Sequence, residues 1–417
     1  MRHRRVFAGA VLVAALGLGA TGCSDQADNS GDDDDGPTGP PPPEPPPPPA
    51  PLPPPPPPPG LTLSVAGGGN NVPDRYTSDL WVHGSYAYTG TWGGFSREGN
   101  AGNALKIWSL DGTGAPSLTD SIVIPAVATV SDVEVSADGA VLMFSAELGR
   151  HEGLYLYDLA DPAAPTFLDS VHVEAGLHTA TFGEIGGRRY AFAAKNPPDP
   201  ALVIFDVTDP AGIVSAATVP IPPHYGIHDT YVRDGLAFVF AWDTGVIIYD
   251  VGNGIRGGSP TSPVEVSRLV TGSGTADRPA VHNGWWFHNP VTEEARYLFI
   301  GQEGPGFIGH EASGDIHVVD VSDLANPREV ASFSLPGAGA HNFWMDEARQ
   351  ILYAAYYNGG IVALDVSGTL TGDLADRLVD RIEPGGDDNT YTWGVQLANG
   401  SLYASDMLSG LWQIAVE

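Results

Sequence analysis

Four stretches, "EAGLHTATF", "GIHDTYVRDG", "PAVHNGWWF" and "GAGAHNFWM", place His178, His228, His282 and His341 at the start of alternating apolar runs. The chain holds 12 histidines in 417 residues, so four at one repeated position is a pattern that composition does not explain. Imidazoles held close together and partly withdrawn from water resist protonation, and the neutral ring is the form that binds a transition metal. Three or four such nitrogens at about 2.0–2.1 Å suit Zn, with Cu and Fe the other ions that imidazole commonly takes. With a carboxylate such as Asp243 or Glu303 to move a proton, the set could serve a metal-dependent oxidoreductase. A structural role accounts for the same position: a polar side chain at a strand start can hydrogen-bond the neighbouring sheet.

A second chemistry is available nearby. Trp92, Trp242, Trp393 and Tyr357 fall in segments that should reach the same end of the fold, and aromatic faces beside carboxylates suit sugars or aromatic compounds. Trp285, Trp286 and Trp344 belong to the inner strands, where alternation favours packing against neighbouring strands. His224, His288 and His310 are further imidazoles close to the pattern in sequence. There is no G-x-S-x-G elbow, H-E-x-x-H or phosphate-cradling glycine loop.

The elements that must position these residues repeat. "LKIWSLD" at Leu105, "LYLYDLADPAAP" at Leu154, "LVIFDVTDP" at Leu202, "VIIYDV" at Val246, "IHVVDVSDLANP" at Ile316, "IVALDVSG" at Ile361 and "LWQIAVE" at Leu411 follow at intervals of 49, 48, 44, 70, 45 and 50 residues. Each is preceded by two further alternating runs and most are followed by another, with little helical periodicity. Seven units of four short strands predict an all-β, seven-bladed β-propeller, and "LTLSVAG" at Leu61 should complete the last blade and remove its open edge. Aligned on their alternation, the innermost strands put Ser78, Ser131, His178, His228, His282, His341 and Trp393 in one ring. The turns between second and third strands add Trp92, Glu147, Lys195, Asp243, Glu303, Tyr357 and Asp406 to the same mouth of the channel.

The repeated pattern of apolar residues followed by D-V-x-D-P-x-x-P, clearest in "YDLADPAAP", "FDVTDPAGI" and "VDVSDLANP", resembles the LVIVD-repeat family over nearly all of residues 61–417. The resemblance implies a propeller at a bacterial surface or in the periplasm and no settled catalytic activity. Asp158, Asp206, Asp250, Asp320 and Asp365 lie in this motif and should end strands, while Asp161, Asp209 and Asp323 cap the turns that follow.

The N-terminus opens with Arg2, Arg4 and Arg5, continues through an apolar run too short to span a bilayer, and reaches Cys23, the only cysteine. This resembles a lipoprotein signal with Cys23 as the lipidated residue, although Ala20 stands where Leu is usual. Residues 1–22 should be the signal peptide. Residues 23–60, acidic and then Pro-rich, should form a stalk whose proline tract extends about 3.1 Å per residue. Residues 61–417 should be the propeller, and no disulfide is available to it.

Without its signal the chain keeps 16 basic against 50 acidic residues, net −34, since three arginines leave with residues 1–22. That charge excludes nucleic acid as a partner. The expected protein is thus exported and lipid-anchored to a bacterial membrane through Cys23, most simply at the outer membrane or cell surface. Its propeller should act as a binding module for a protein or small molecule at the channel mouth. The metal-dependent oxidoreductase with Cu, Zn or Fe is the alternative.

Overall fold

A computed structural model describes residues 60–69, 75–93, 102–111, 115–222, 226–272, 274–276, 278–304 and 307–417. Residues 1–22, expected as a signal, Cys23, residues 24–59 of the expected stalk, and His224 lie outside these. The chain divides into Met1–Leu52 and Pro53–Glu417, and the described residues all belong to the second unit.

That unit is all-β and propeller-like, with no α-helix among the described residues and one 3-10 turn at Ala375–Arg377. Its sheets are antiparallel meanders. In one of them Leu177–Ile185, Arg188–Lys195, Ala201–Asp206 and Val214–Pro220 pair in sequence order. Four sheets have four strands and one has five, the fifth being the short parallel addition Gly372–Asp373. The remaining sheet has eight strands, made of two such meanders joined through the single pair Thr91↔Val130.

Burial explains the composition of each strand. Second and third strands such as Leu236–Phe240 (LAFVF) and Val246–Asp250 (VIIYD) are buried along their whole length, because both sheet faces are covered by neighbours. They therefore read as continuous apolar runs rather than as alternation. Outer strands such as Ser117–Val123 are mostly exposed and polar. Each sheet shares an apolar core with the next: Phe192, Ile204 and Ala237 fill one interface, and Phe238, Ile248 and Leu298 the following one. The last sheet packs on the first in the same way, through Tyr403 and Leu411 against Leu80, Val82 and Trp108.

Two contacts close this ring. Leu63–Gly68 pairs antiparallel with Gly410–Val416, so the N-terminal strand covers the edge that the C-terminal strand would expose. The Gln396 side chain accepts from the Val82 backbone N–H at 2.5 Å, tying the last innermost strand to the first. The motif aspartates serve as expected: Asp158, Asp206, Asp320 and Asp365 each accept the N–H two residues on, as do Asp161, Asp209 and Asp323 in the turns that follow.

Candidate functional site

The innermost strands carry an irregularity where the ring of polar residues sits. Ser78 with Asp79, Ser131 with Asp132 and His178 with Thr179 each set two residues against one on the partner strand. His282 and Trp393 are extra residues in their registers. The backbones of His341 and Asn342 both bond Ala355, and the His228 N–H donates to Phe240, which is also the partner of Asp229. Such bulges bend the strand and turn adjacent side chains to one side. Here they let successive residues such as His228 and Asp229 reach two levels of the channel.

The upper row brings the four histidines into file. Ring centroids are 4.1 Å apart from His178 to His228, from His228 to His282 and from His282 to His341. Each ring is held differently. The Nδ1 of His178 lies 3.2 Å from the Glu147 carboxylate, which also accepts from Asn196 at 2.7 Å. His341 donates from Nδ1 to the Trp393 carbonyl at 2.6 Å. The Nε2 of His228 is 3.5 Å from Glu303, and Tyr357 donates to the other oxygen of that carboxylate. His282 is 2% exposed, and neither of its ring nitrogens has a hydrogen-bond partner among the described residues.

These surroundings fix the charge states. Burial, then the neighbouring imidazoles, hold His228 and His282 well below the usual histidine range, and burial brings His341 down to about 3. His178 is the exception: burial opposes its charge, but Glu147, with Glu303 and Asp132 beyond, outweighs burial and raises it. Burial raises Glu303 despite the bond from Tyr357.

Above the row lies a pocket of about 470 Å³ lined by His178, His228 and Glu303 and by Trp92, Trp242, Trp393, Tyr357, Tyr391, Phe307 and Met407. Trp92 packs on Trp393 at 5.2 Å and edge-on to His178 at 6.1 Å. The structure thus brings His178, His228, His282, His341, Glu303, Trp92, Trp242, Trp393 and Tyr357 to one place. Asp243 is not among the residues lining it: its carboxylate pairs with Arg278 at 3.5 Å and accepts from the Ala280 N–H. His288 stands at the other end of its strand beside Trp286, and His310 is exposed against Phe307.

Ser78 bridges the two meanders of the eight-stranded sheet, donating to the Val130 carbonyl at 2.6 Å, and His341 bonds the neighbouring sheet in the same way through the Trp393 carbonyl. His228 and His282 make no such bond.

The lower row was not expected. Asp79, Asp132 and Asp229, with Glu134 below them, line a second cavity of about 240 Å³ along the channel, together with Asn283, Asn342, Trp81, Tyr231, Trp285 and Trp344. Burial raises all four carboxyls, Asp229 to about 7, and the proximity of Asp132 adds to the shift of Asp79. Trp285 and Trp344, expected to pack between strands, are half-buried and face this cavity, whereas Trp286 is buried and donates to the Ala295 carbonyl.

Comparisons agree with this architecture. The LVIVD repeat matches at residues 74–96 and 311–334. No curated protein matches in sequence. Among solved structures the chain is similar to the β-propeller domain of Cps50 (Swd1) from Myceliophteria thermophila, with TM-score 0.55 and 13% identity, over 81% of this chain and 96% of that one. It is also similar to the C-terminal WD40 domain of Sif2, with TM-score 0.51 and 12% identity, over 82% of each chain. A functionally unknown protein from Desulfotomaculum acetoxidans follows at TM-score 0.50 and 11% identity, over 72% of this chain and 85% of that one. At these identities the likeness concerns fold alone: the chain has a β-propeller fold, and two of its stretches match the LVIVD repeat.

Proposed function

We propose that this chain is an exported binding module, lipid-anchored through Cys23 and set off from a bacterial membrane by a stalk over residues 23–60. Residues 61–417 form its seven-bladed propeller, which takes its ligand at the histidine-lined mouth. Reading the eight-stranded sheet as two blades that touch at Thr91↔Val130 supports the count of seven.

The observation that carries the reading is the mouth pocket itself. An open pocket of about 470 Å³ with a mainly aromatic wall and a few polar groups converging at its floor is a common form of small-molecule site. Its wall suits a flat or apolar body, and its floor suits a polar head group. The chain's net charge of −31 works against polyanionic partners such as nucleic acid.

A thermal-shift screen of aromatic, sugar and amphiphilic compounds against the full chain, repeated with Trp92→Ala and Trp393→Ala, tests this. Stabilisation by one compound class that the variants lose is the expected outcome. Hits that both variants keep would move the site elsewhere.

A further inference from the structure

We propose that the channel mouth holds one divalent transition metal on His228, His282 and Glu303, and that this ion anchors the polar head of the mouth ligand. The proposal rests on the mouth being the binding site and names the chemistry at its floor.

The donor atoms of these three residues all lie within 4.8 Å of one another. Ligand atoms about 2.0–2.1 Å from a tetrahedral zinc are about 3.4 Å apart, so small side-chain rotations would close the set. Two imidazole nitrogens and one carboxylate oxygen favour Zn, Cu or Fe over Ca or Mg, which prefer oxygen throughout. Glu303 is already aimed: Tyr357 occupies Oε1, and Oε2 stands 3.5 Å from His228 Nε2 and 3.8 Å from His282 Nε2.

His282 makes the strongest case. It is 2% exposed with neither ring nitrogen in hydrogen-bond range of a partner among the described residues, and a metal bond at Nε2, the nitrogen facing Glu303, would relieve one of the two. His341 Nε2 is likewise unpartnered, while its Nδ1 is held by the Trp393 carbonyl. His178 has its Nδ1 held by Glu147, which Asn196 holds in turn. Carbonyl and carboxylate partners of this kind set the tautomer and orientation of ligating histidines, so either ring is placed to complete the shell. The deeper carboxylates Asp79, Asp132, Glu134 and Asp229 bring no three ligand atoms that close among the described residues.

An ion here would also settle which ligands fit. The pocket floor carries the carboxylate of Glu303, which repels an anion until a dication offsets it. With the metal in place, the preferred guest has an anionic oxygen or sulfur donor on an apolar body that lies against Trp92, Trp242 and Trp393.

The test is calorimetric titration of the chelator-stripped full chain with ZnCl2, CuSO4 and, under anaerobic conditions, ferrous sulfate, followed by elemental analysis after dialysis. One equivalent of at least one ion is expected. Second-sphere changes alone weaken metal sites about 10–100-fold, so His282→Ala and Glu303→Gln should each lose more than about 100-fold, with His288→Ala unchanged. Should His282→Ala fail to fold, Glu303→Gln decides, because its amide oxygen can still accept from Tyr357. A folded protein that binds none of the three ions overturns the proposal, as does equal binding by Glu303→Gln. Compound binding that persists in the stripped protein would leave the mouth as a ligand site without a metal, which separates the two failures.

Discussion

His282 and His341 lie 4.1 Å apart between ring centroids with their planes tilted by 49°, and the Nδ1 of His341 is held by the Trp393 carbonyl at 2.6 Å. Both rings stay neutral in the folded chain at acidities where an unfolded chain would charge them. Between the ordinary value of 6.5 and their folded values the unfolded state binds more protons, so their contribution to stability is present above 6.5 and is lost as pH falls.

His282→Leu removes one such group. Relative to the parent, its unfolding free energy should fall less between about pH 7 and pH 5, by up to about 2 kcal/mol, since each pKa unit is worth about 1.4 kcal/mol. Urea denaturation at both pH values, with unchanged m, is the measurement. A parallel pH dependence in parent and variant would mean that His282 is protonated in the folded protein.

Asp229 has the opposite sign. Its folded pKa, raised by burial and by Asp132 to about 7 from 3.8, means that the folded state holds the extra proton. The stability it contributes is complete below 3.8 and is lost as pH rises through 7. Asp229→Asn should therefore raise Tm at about pH 8 and change it little at about pH 4. A variant that is less stable than the parent at the higher pH would show that the ionised carboxylate has a favourable partner in the channel.

Much of this was legible in the sequence, and the exceptions share a cause. The repeat set the strand pattern, and its alternation aligned His178, His228, His282 and His341, whose rings the structure brings into one file. Strict alternation would turn the residues one step further on, Asp79, Asp132, Asp229, Asn283 and Asn342, away from the channel, and they were not expected there. The bulges return them to it. The signal was present as the doublets Ser-Asp, His-Asp and His-Asn at the ring position, where two polar residues begin an otherwise apolar strand. Asp243 was placed at the mouth by its turn alone, and turn position says nothing of Arg278, which comes from the next unit and claims its carboxylate. Trp285 and Trp344 were assigned to packing because an aromatic side chain has no polar need to show which side it faces.

His341 allows the hydrogen bond and the ring to be separated. Asparagine places its amide N–H close to where Nδ1 stands, so His341→Asn should keep the bond to the Trp393 carbonyl and most of the stability. His341→Ala loses the bond and leaves a cavity beside Tyr357 and Trp393, and should cost about 1–3 kcal/mol more than the asparagine variant. Equal losses in the two variants, measured as urea midpoints, would assign the role of His341 to ring packing instead.

Closure of the ring can be tested at one glycine. Gly68 ends the strand that pairs with Gly410–Val416, has φ +110, and stands where an added Cβ would meet the Leu411 carbonyl oxygen at 2.3 Å. Backbone there is both left-handed and in contact with the partner strand, so no side chain fits without moving one of the two chains. Gly68→Ala should lower stability by about 1–3 kcal/mol and expose the edge of the last sheet. Gly84→Ala provides the comparison: its φ is +57 but nothing lies within 4 Å, so its cost is conformational alone and smaller. Hydrogen exchange should show faster opening of residues 410–416 in the first variant only. If both variants lose the same stability and leave that strand protected, the N-terminal strand is not what holds the last sheet in place.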